Sequence, residues 1–193
     1  MIQEWWGVQG QIRGICDRYA AAGYNALAPD LYAGRAVPYH DTAVAAAEMA
    51  ALDFPGATDG IVRAAALFLG APQRKAGITG YCLGGIVSIL AAIRLKEFAA
   101  AVCYYGIPPG DLADPGAIRV PLQGHFANDD TWCRPEHVDA LEAALRQSGA
   151  DHEIYRYDAA HGFCNEDVSE YRADLSELAW QRGFGFWQRH LGS

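Results

Sequence analysis

The sequence has no paired cysteine motif, no long hydrophobic run and no excess of basic residues. Its five cysteines are an odd number without a CxxC pair, which argues against a disulfide framework and against a zinc site. The apolar run from Ile86 to Ile93 is too short to span a membrane. With 23 acidic and 15 basic residues, the formal net charge of −8 disfavours a nucleic-acid or anionic-membrane partner.

The first residues also lack an export signal. Met1-Ile2-Gln3-Glu4 has neither the basic stretch nor the apolar core of a signal peptide, so we expect a cytoplasmic protein. The chain has 193 residues, of which 51% are hydrophobic, and this is enough for one domain with a substantial core. We therefore expect a single domain over residues 1–193.

Strand and helix patterns alternate along the chain. Helical spacing and end signals predict helices over residues 12–22, 42–52 (capped by Asp41 or Thr42), 55–69, 86–95, 135–147 and 170–190. Short apolar runs predict strands over residues 1–4, 24–28, 75–79, 98–105, 120–126 and 152–157. This alternation predicts an α/β fold with a mostly parallel sheet and helices on both faces. Within the predicted helix over residues 55–69, Asp59 and Arg63 are spaced for an i,i+4 ion pair.

The most informative stretch is Gly80-Tyr81-Cys82-Leu83-Gly84-Gly85, between a predicted strand and a predicted helix. A turn of the form Gly-x-nucleophile-x-Gly holds the middle side chain on a tight bend, and glycines flank it because a Cβ there would clash. The backbone N–H after the nucleophile lies at a helix N-terminus, which favours negative charge. A βα turn with a buried free cysteine is the simpler interpretation of this stretch alone.

A nucleophilic thiol needs a base, and the base needs a group that orients it. Of the six histidines, His161 directly follows a predicted strand and is flanked by Ala160 and Gly162. Carboxylates follow another strand at Asp129 and Asp130. The order nucleophile, acid, histidine at three strand exits is that of the α/β-hydrolases, and active residues of such sheets lie beyond the carboxyl ends of the strands.

Motifs along nearly the whole chain carry a family resemblance. They are the Cys82 turn, Gln3-Glu4-Trp5-Trp6-Gly7, Pro29-Asp30-Leu31-Tyr32, His125-Phe126 ahead of Asp130, and Ala160-His161-Gly162-Phe163. With them the sequence resembles the dienelactone hydrolase family (carboxymethylenebutenolidases), whose members have the α/β-hydrolase fold.

The resemblance implies a set of roles for the site. It implies that Cys82 is the nucleophile, His161 the base and Asp130 the orienting acid, with Asp129 as the alternative. It further implies that Glu4 contacts the thiol in the resting enzyme. The backbone N–H groups of Trp5 and Leu83 are expected to form the oxyanion hole, and substrate binding is assigned to Arg35, Tyr81 and Phe163.

Two departures from the family pattern affect these expectations. The Gln3-Glu4 motif stands at the start of the sequence, whereas the family has about thirty residues of additional strands before it. Either the natural start lies upstream or this is a shortened member. We expect the N-terminal strands to be missing from this sequence and the exposed sheet edge to favour pairing with another chain, such as a second copy. Arg35 is displaced by one residue from the family's substrate-binding arginine, and Asn165 stands where a second arginine is expected. Arg35 is therefore either a substrate clamp or a solvated loop arginine.

The resulting hypothesis is a hydrolase of a small ester or lactone that uses a Cys-His-Asp triad and an acyl-enzyme, with no metal or organic cofactor. An inactive family member that serves as a binding or scaffold protein is the alternative. A cysteine peptidase or thiol redox protein fits less well, because no second cysteine accompanies Cys82 in a CxxC.

Overall fold

A four-stranded parallel sheet forms the centre of the fold in the computed structural model, which describes residues 1–192. The strands lie side by side in chain order: β1 (Ala76–Tyr81), β2 (Phe98–Tyr104), β3 (Leu122–Asp129) and β4 (His152–Ala160). All three neighbouring pairs are parallel, so the four carboxyl ends meet at one edge of the sheet. The predicted α/β class is confirmed.

Helices cover both faces of the sheet. The α-helices are α1 (Gly10–Ala21), α2 (Thr42–Ala51), α3 (Phe54–Ala57), α4 (Arg63–Phe68), α5 (Leu83–Arg94), α6 (Pro135–Ser148) and α7 (Ala173–Leu191). Residues from α5 and α6 pack against one face, and residues from α1 and α7 pack against the other. No helix among residues 1–192 combines the length and apolar character needed to cross a bilayer.

The central strand β2 shows why the sheet is buried on both faces. Ala101 and Cys103 point into the core beneath α5, while Val102 and Tyr104 point into the core beneath α7. Each of these four residues is at most 1% exposed. A strand that is covered on both faces carries apolar residues at every position, and the apolar run over residues 98–105 predicted this strand for that reason.

The predicted helix over residues 55–69 is present but locally distorted. A π-helical segment, Thr58–Val62, joins α3 to α4. The predicted ion pair between Asp59 and Arg63 is wrong, because a π turn no longer stacks residues four apart. Instead, Asp59 pairs with Arg94 at the end of α5, and Arg63 pairs with Glu97 at 3.3 Å.

The N-terminal residues run beside β1 without forming a full strand. Ile2 makes an isolated parallel bridge to Gly80, and its N–H donates to the Thr79 carbonyl at 2.7 Å. The predicted strand over residues 24–28 is wrong: this segment is irregular, and the Met1 amino group donates a hydrogen bond to its Leu27 carbonyl at 2.9 Å. Pairing of the N-terminal side edge of the sheet, beside β1, with a second copy of the chain stays a prediction.

Candidate active site

A candidate site residue follows directly after each of the four strands. Cys82 follows β1, Tyr105 follows β2, Asp130 follows β3 and His161 follows β4. Because the strands are parallel, these residues are brought together at one edge of the sheet. Sequence reasoning found three of the four and missed Tyr105.

Cys82 occupies a strained turn between β1 and α5. Its φ of 54° and ψ of −115° lie where residues other than glycine are uncommon. The turn is tight enough that a Cβ at Gly80 would overlap the backbone of Gly84, and a Cβ at Gly106 would overlap the Cys82 carbonyl oxygen. The glycines of the motif are therefore required by close backbone approach, as the sequence predicted.

The N-terminal segment lies over this turn. A Cβ at Gly84 would come within 2.5 Å of the Ile2 carbonyl oxygen, so the two backbones are in close contact. The side chain of Gln3 holds the segment in place by accepting a hydrogen bond from the Leu31 N–H at 3.0 Å. Among the hydrogen bonds described for residues 1–192, none uses the N–H of Trp5 or of Leu83. An oxyanion hole formed by these two N–H groups stays a prediction.

Asp130 and His161 are in direct hydrogen-bond contact. Asp130 Oδ2 lies 2.7 Å from His161 Nδ1, and its Oδ1 accepts hydrogen bonds from the N–H groups of Trp132 and Cys133 at 2.7 and 2.8 Å. Burial by itself would raise the pKa of Asp130, but His161 and these backbone donors lower it below its usual value. Asp129, the alternative acid, is exposed, and Asp130 is the carboxylate that contacts the histidine.

The charge state of His161 depends on Cys82. Burial alone would lower the pKa of His161, but the negative charge of the Cys82 thiolate and the hydrogen bond with Asp130 raise it to about 10. At neutral pH a histidine with this pKa is protonated, and its imidazolium can act as a proton donor in the cavity that it shares with Cys82.

Glu4 is buried beside this pair and held by two neutral donors. Tyr105 donates its hydroxyl to Glu4 Oε1 at 3.0 Å, and Asn165 donates its amide to Oε2 at 2.7 Å. Burial raises the pKa of Glu4, and these two donors and His161 offset only part of that effect. Contact between Glu4 and the thiol stays a prediction, because the carboxylate oxygens are bonded to Tyr105 and Asn165 here. Asn165 had a signal in the sequence, where it replaces an expected arginine.

These groups open into a cavity of about 380 Å³. Its wall combines Cys82 and His161 with indole rings and carboxylates; it is formed by Glu4, Trp5, Trp6, Met49, Cys82, Asp129, Thr131, Trp132, Ala160, His161, Gly162, Val168 and Glu170. The volume is suited to a small molecule. Trp132 and Glu170 were missed because nothing in their local sequence distinguishes them from loop residues, and Trp6 stood in a family motif without a role assigned to it.

The three predicted substrate-binding residues lie outside this wall. Arg35 is 62% exposed in its side chain and pairs with Glu48 at 2.6 Å. Tyr81 is buried and stacks on Tyr104 with ring centroids 4.2 Å apart, and Phe163 is fully buried. Tyr81 and Phe163 are buried behind the cavity wall, and Arg35 lies at the surface. Substrate contact by these three residues therefore stays a prediction.

The comparisons with known proteins agree with this geometry. The sequence profile of the dienelactone hydrolase family matches residues 1–191. The Escherichia coli (strain K12) protein named "Putative carboxymethylenebutenolidase" is 30% identical over 217 residues, which cover 100% of this chain and 76% of that protein. "Protein usf" of Aquifex pyrophilus is 29% identical over 204 residues, covering 99% of this chain and 87% of the relative.

A solved structure gives the same result at the level of the fold. The crystal structure named "Putative Dienelactone Hydrolase" from Klebsiella pneumoniae superimposes with a TM-score of 0.88 at 26% identity. The match covers 98% of this chain and 85% of that one. The resemblance drawn from the motifs is thereby confirmed, and with it the α/β-hydrolase fold.

Proposed function

The chain belongs to the dienelactone hydrolase family, whose relatives support an ester or lactone hydrolase, and from this we propose that it hydrolyses a small ester or lactone through an acyl-enzyme on Cys82. The observation that carries the proposal is the 2.7 Å contact of Asp130 with His161, in a cavity that also exposes the strained Cys82 turn. In this proposal Cys82 is the nucleophile, His161 is the base and Asp130 is the acid that orients the base.

In the first half-reaction, the Cys82 thiolate attacks the carbonyl carbon and a C–S bond forms. The carbonyl oxygen becomes an oxyanion, and the free N–H groups of Trp5 and Leu83 donate hydrogen bonds to it. When the tetrahedral intermediate collapses, the ester C–O bond breaks. The His161 imidazolium then gives its proton to the departing alkoxide, which leaves as an alcohol.

In the second half-reaction, His161 acts as a base. The thioester on Cys82 carries no negative charge, so one of the causes that raise the pKa of His161 is removed. The neutral imidazole accepts a proton from water as the water oxygen attacks the thioester carbonyl. Collapse breaks the C–S bond, releases the carboxylic acid and restores the thiolate–imidazolium pair. Asp130 holds the imidazole in one orientation throughout, through its bond to Nδ1.

The direct test is a panel of p-nitrophenyl esters and enol-lactones, run on the wild type and on Cys82→Ala. We expect turnover by the wild type, loss of turnover in Cys82→Ala, and a mass increase on Cys82 equal to the acyl group when the reaction is quenched early. Cys16→Ala is a matched control, since Cys16 lies on α1 away from the cavity. A folded wild type that turns over none of these substrates would favour a binding protein instead.

A further inference from the structure

The cavity wall is rich in negative charge. Asp129 and Glu170 line it together with Glu4, whose charge is disfavoured because burial raises its pKa, whereas no lysine or arginine within residues 1–192 is part of its lining. None of the ion pairs found in this part of the chain includes any of these three carboxylates. Asp129 and Glu170 are also exposed, and Glu170 accepts a hydrogen bond from Ser169 at 2.8 Å. Their charge is therefore free to act on a bound molecule.

Indole rings line the same cavity. Trp5 packs edge to face against Trp6 with centroids 5.0 Å apart, and against Trp132 at 5.4 Å. Trp132 keeps 56% of its surface exposed, which is unusual for so large an apolar side chain. Tryptophan faces attract cations more strongly than other aromatic rings do, and aromatic cages are the usual means of recognising quaternary ammonium groups.

The two basic side chains expected in the site, His161 and Arg35, already have acidic partners. His161, whose pKa is raised to about 10, has its Nδ1 bonded to Asp130. Arg35, the one arginine expected to hold a substrate carboxylate, pairs with Glu48 outside the cavity wall. A carboxylate on the substrate would thus find repulsion from Asp129 and Glu170 and no guanidinium fork to bind it.

We propose that the preferred substrate is a small ester that carries a positive charge, such as a quaternary ammonium group, a few bonds from the reacting carbonyl. The carboxylates attract the cation, the indole rings contact its apolar surface, and the ester carbonyl lies at Cys82. This inference rests on the proposed hydrolysis and adds the charge of its substrate. Both the carboxylates and the indoles favour a cation, while only the indoles would also favour a neutral apolar group.

The test uses two matched ester series, one charged on each side of the ester bond. The acyl series is the p-nitrophenyl ester of 4-(trimethylammonio)butanoate, of its neutral isostere 5,5-dimethylhexanoate, and of the adipate half-acid. The alcohol series is choline acetate against 3,3-dimethylbutyl acetate. Because an exposed charge pair and a cation–π contact each give a preference of about two- to fivefold, we expect kcat/KM for the cation to exceed that for the isostere by about tenfold in at least one series.

Variants separate the charge effect from general changes in activity. Asp129→Asn and Glu170→Gln should each lower the ratio of cationic to neutral kcat/KM by about two- to fivefold, and Trp132→Leu should lower it similarly. Asp151→Asn removes the same charge from an exposed residue before β4, at the opposite edge of the sheet, and should leave the ratio unchanged. High salt should also lower the ratio in the wild type.

The outcomes distinguish the two proposals. Turnover of these esters with a cationic-to-neutral ratio near one, or with the adipate half-acid preferred, overturns the inference while the hydrolase stands. A folded wild type that turns over none of the esters overturns the proposed hydrolysis itself, and the inference with it. A ratio near tenfold that falls in Asp129→Asn and not in Asp151→Asn supports both.

Discussion

At the scale of single residues, two adjacent carboxylates have different environments. Asp130 is buried and bonded to His161, while Asp129 points to solvent at the cavity wall. We expect Asp130→Asn to lower kcat by about two to four orders of magnitude without unfolding the chain, because the imidazole loses its orientation. Asp129→Asn is the matched control and should retain most turnover of a neutral ester. A large loss in Asp129→Asn alone would contradict the assignment of the acid.

The pKa of His161 provides a second measurement at this scale. Alkylation of Cys82 by iodoacetamide replaces the thiolate by a neutral thioether and removes one of the causes that raise this pKa to about 10. We expect the imidazole titration, followed by NMR, to shift toward lower pH after alkylation. The uncharged label mimics the acyl-enzyme, in which His161 must be a base. An unchanged titration would mean that Cys82 and His161 are not electrostatically coupled.

Glu4 predicts a dependence of stability on pH. Burial raises its pKa above the ordinary value of 4.5, so its contribution to stability is fully present below about pH 4.5 and is lost as pH rises through the folded-state pKa. Glu4→Gln keeps the shape without the charge. Relative to the wild type, the variant should gain free energy of unfolding at pH 8 and little at pH 4, as measured by urea denaturation.

The control for this experiment is Glu136→Gln, an exposed carboxylate in the first turn of α6. It should change the free energy of unfolding little at either pH. If Glu4→Gln is destabilising by the same amount at both pH values, its hydrogen bonds with Tyr105 and Asn165 matter more than its charge.

At the scale of elements, the Cys82 turn depends on the loop that follows β2. A Cβ at Gly106 would overlap the Cys82 carbonyl oxygen and lie 2.8 Å from the Ile86 nitrogen. Gly106→Ala should therefore lower the free energy of unfolding by about 2 kcal/mol or more and reduce turnover as well. Gly110→Ala lies in the same loop with open space around it and should change stability by less than about 0.5 kcal/mol. Equal effects of the two substitutions would show that the turn tolerates displacement.

The elements also show how far sequence reasoning reaches. β2 was predictable because a strand buried on both faces carries a continuous apolar run, and the Cys82 turn was predictable because it needs glycines. The π-helical segment was not predictable from the sequence, nor was the ion pair that Asp59 forms with Arg94 instead of Arg63. Both depend on the position of α5. The hydrogen bonds of Tyr105 and Asn165 with Glu4 were not predictable either, because each spans more than a hundred residues of sequence.

At the scale of the whole molecule, the five cysteines differ in their surroundings. Burial raises the pKa of Cys16, Cys103, Cys133 and Cys164 above the ordinary value, which leaves less of the reactive thiolate at neutral pH. Cys82, opposite the His161 imidazolium, should be alkylated first by brief iodoacetamide treatment, as followed by peptide mass mapping. Equal labelling of all five thiols in folded protein would contradict this expectation.

The arrangement of the tryptophans has an optical consequence. Trp5, Trp6 and Trp132 surround the cavity, and the Trp132 ring lies 6.4 Å from that of His161, whereas Trp180 and Trp187 belong to α7 on the far face of the sheet. A neighbouring imidazolium quenches indole emission, and a neutral imidazole does so less. Each catalytic cycle should therefore change the emission of one indole cluster while the other stays constant, so the unlabelled protein carries both a signal for acylation and an internal reference.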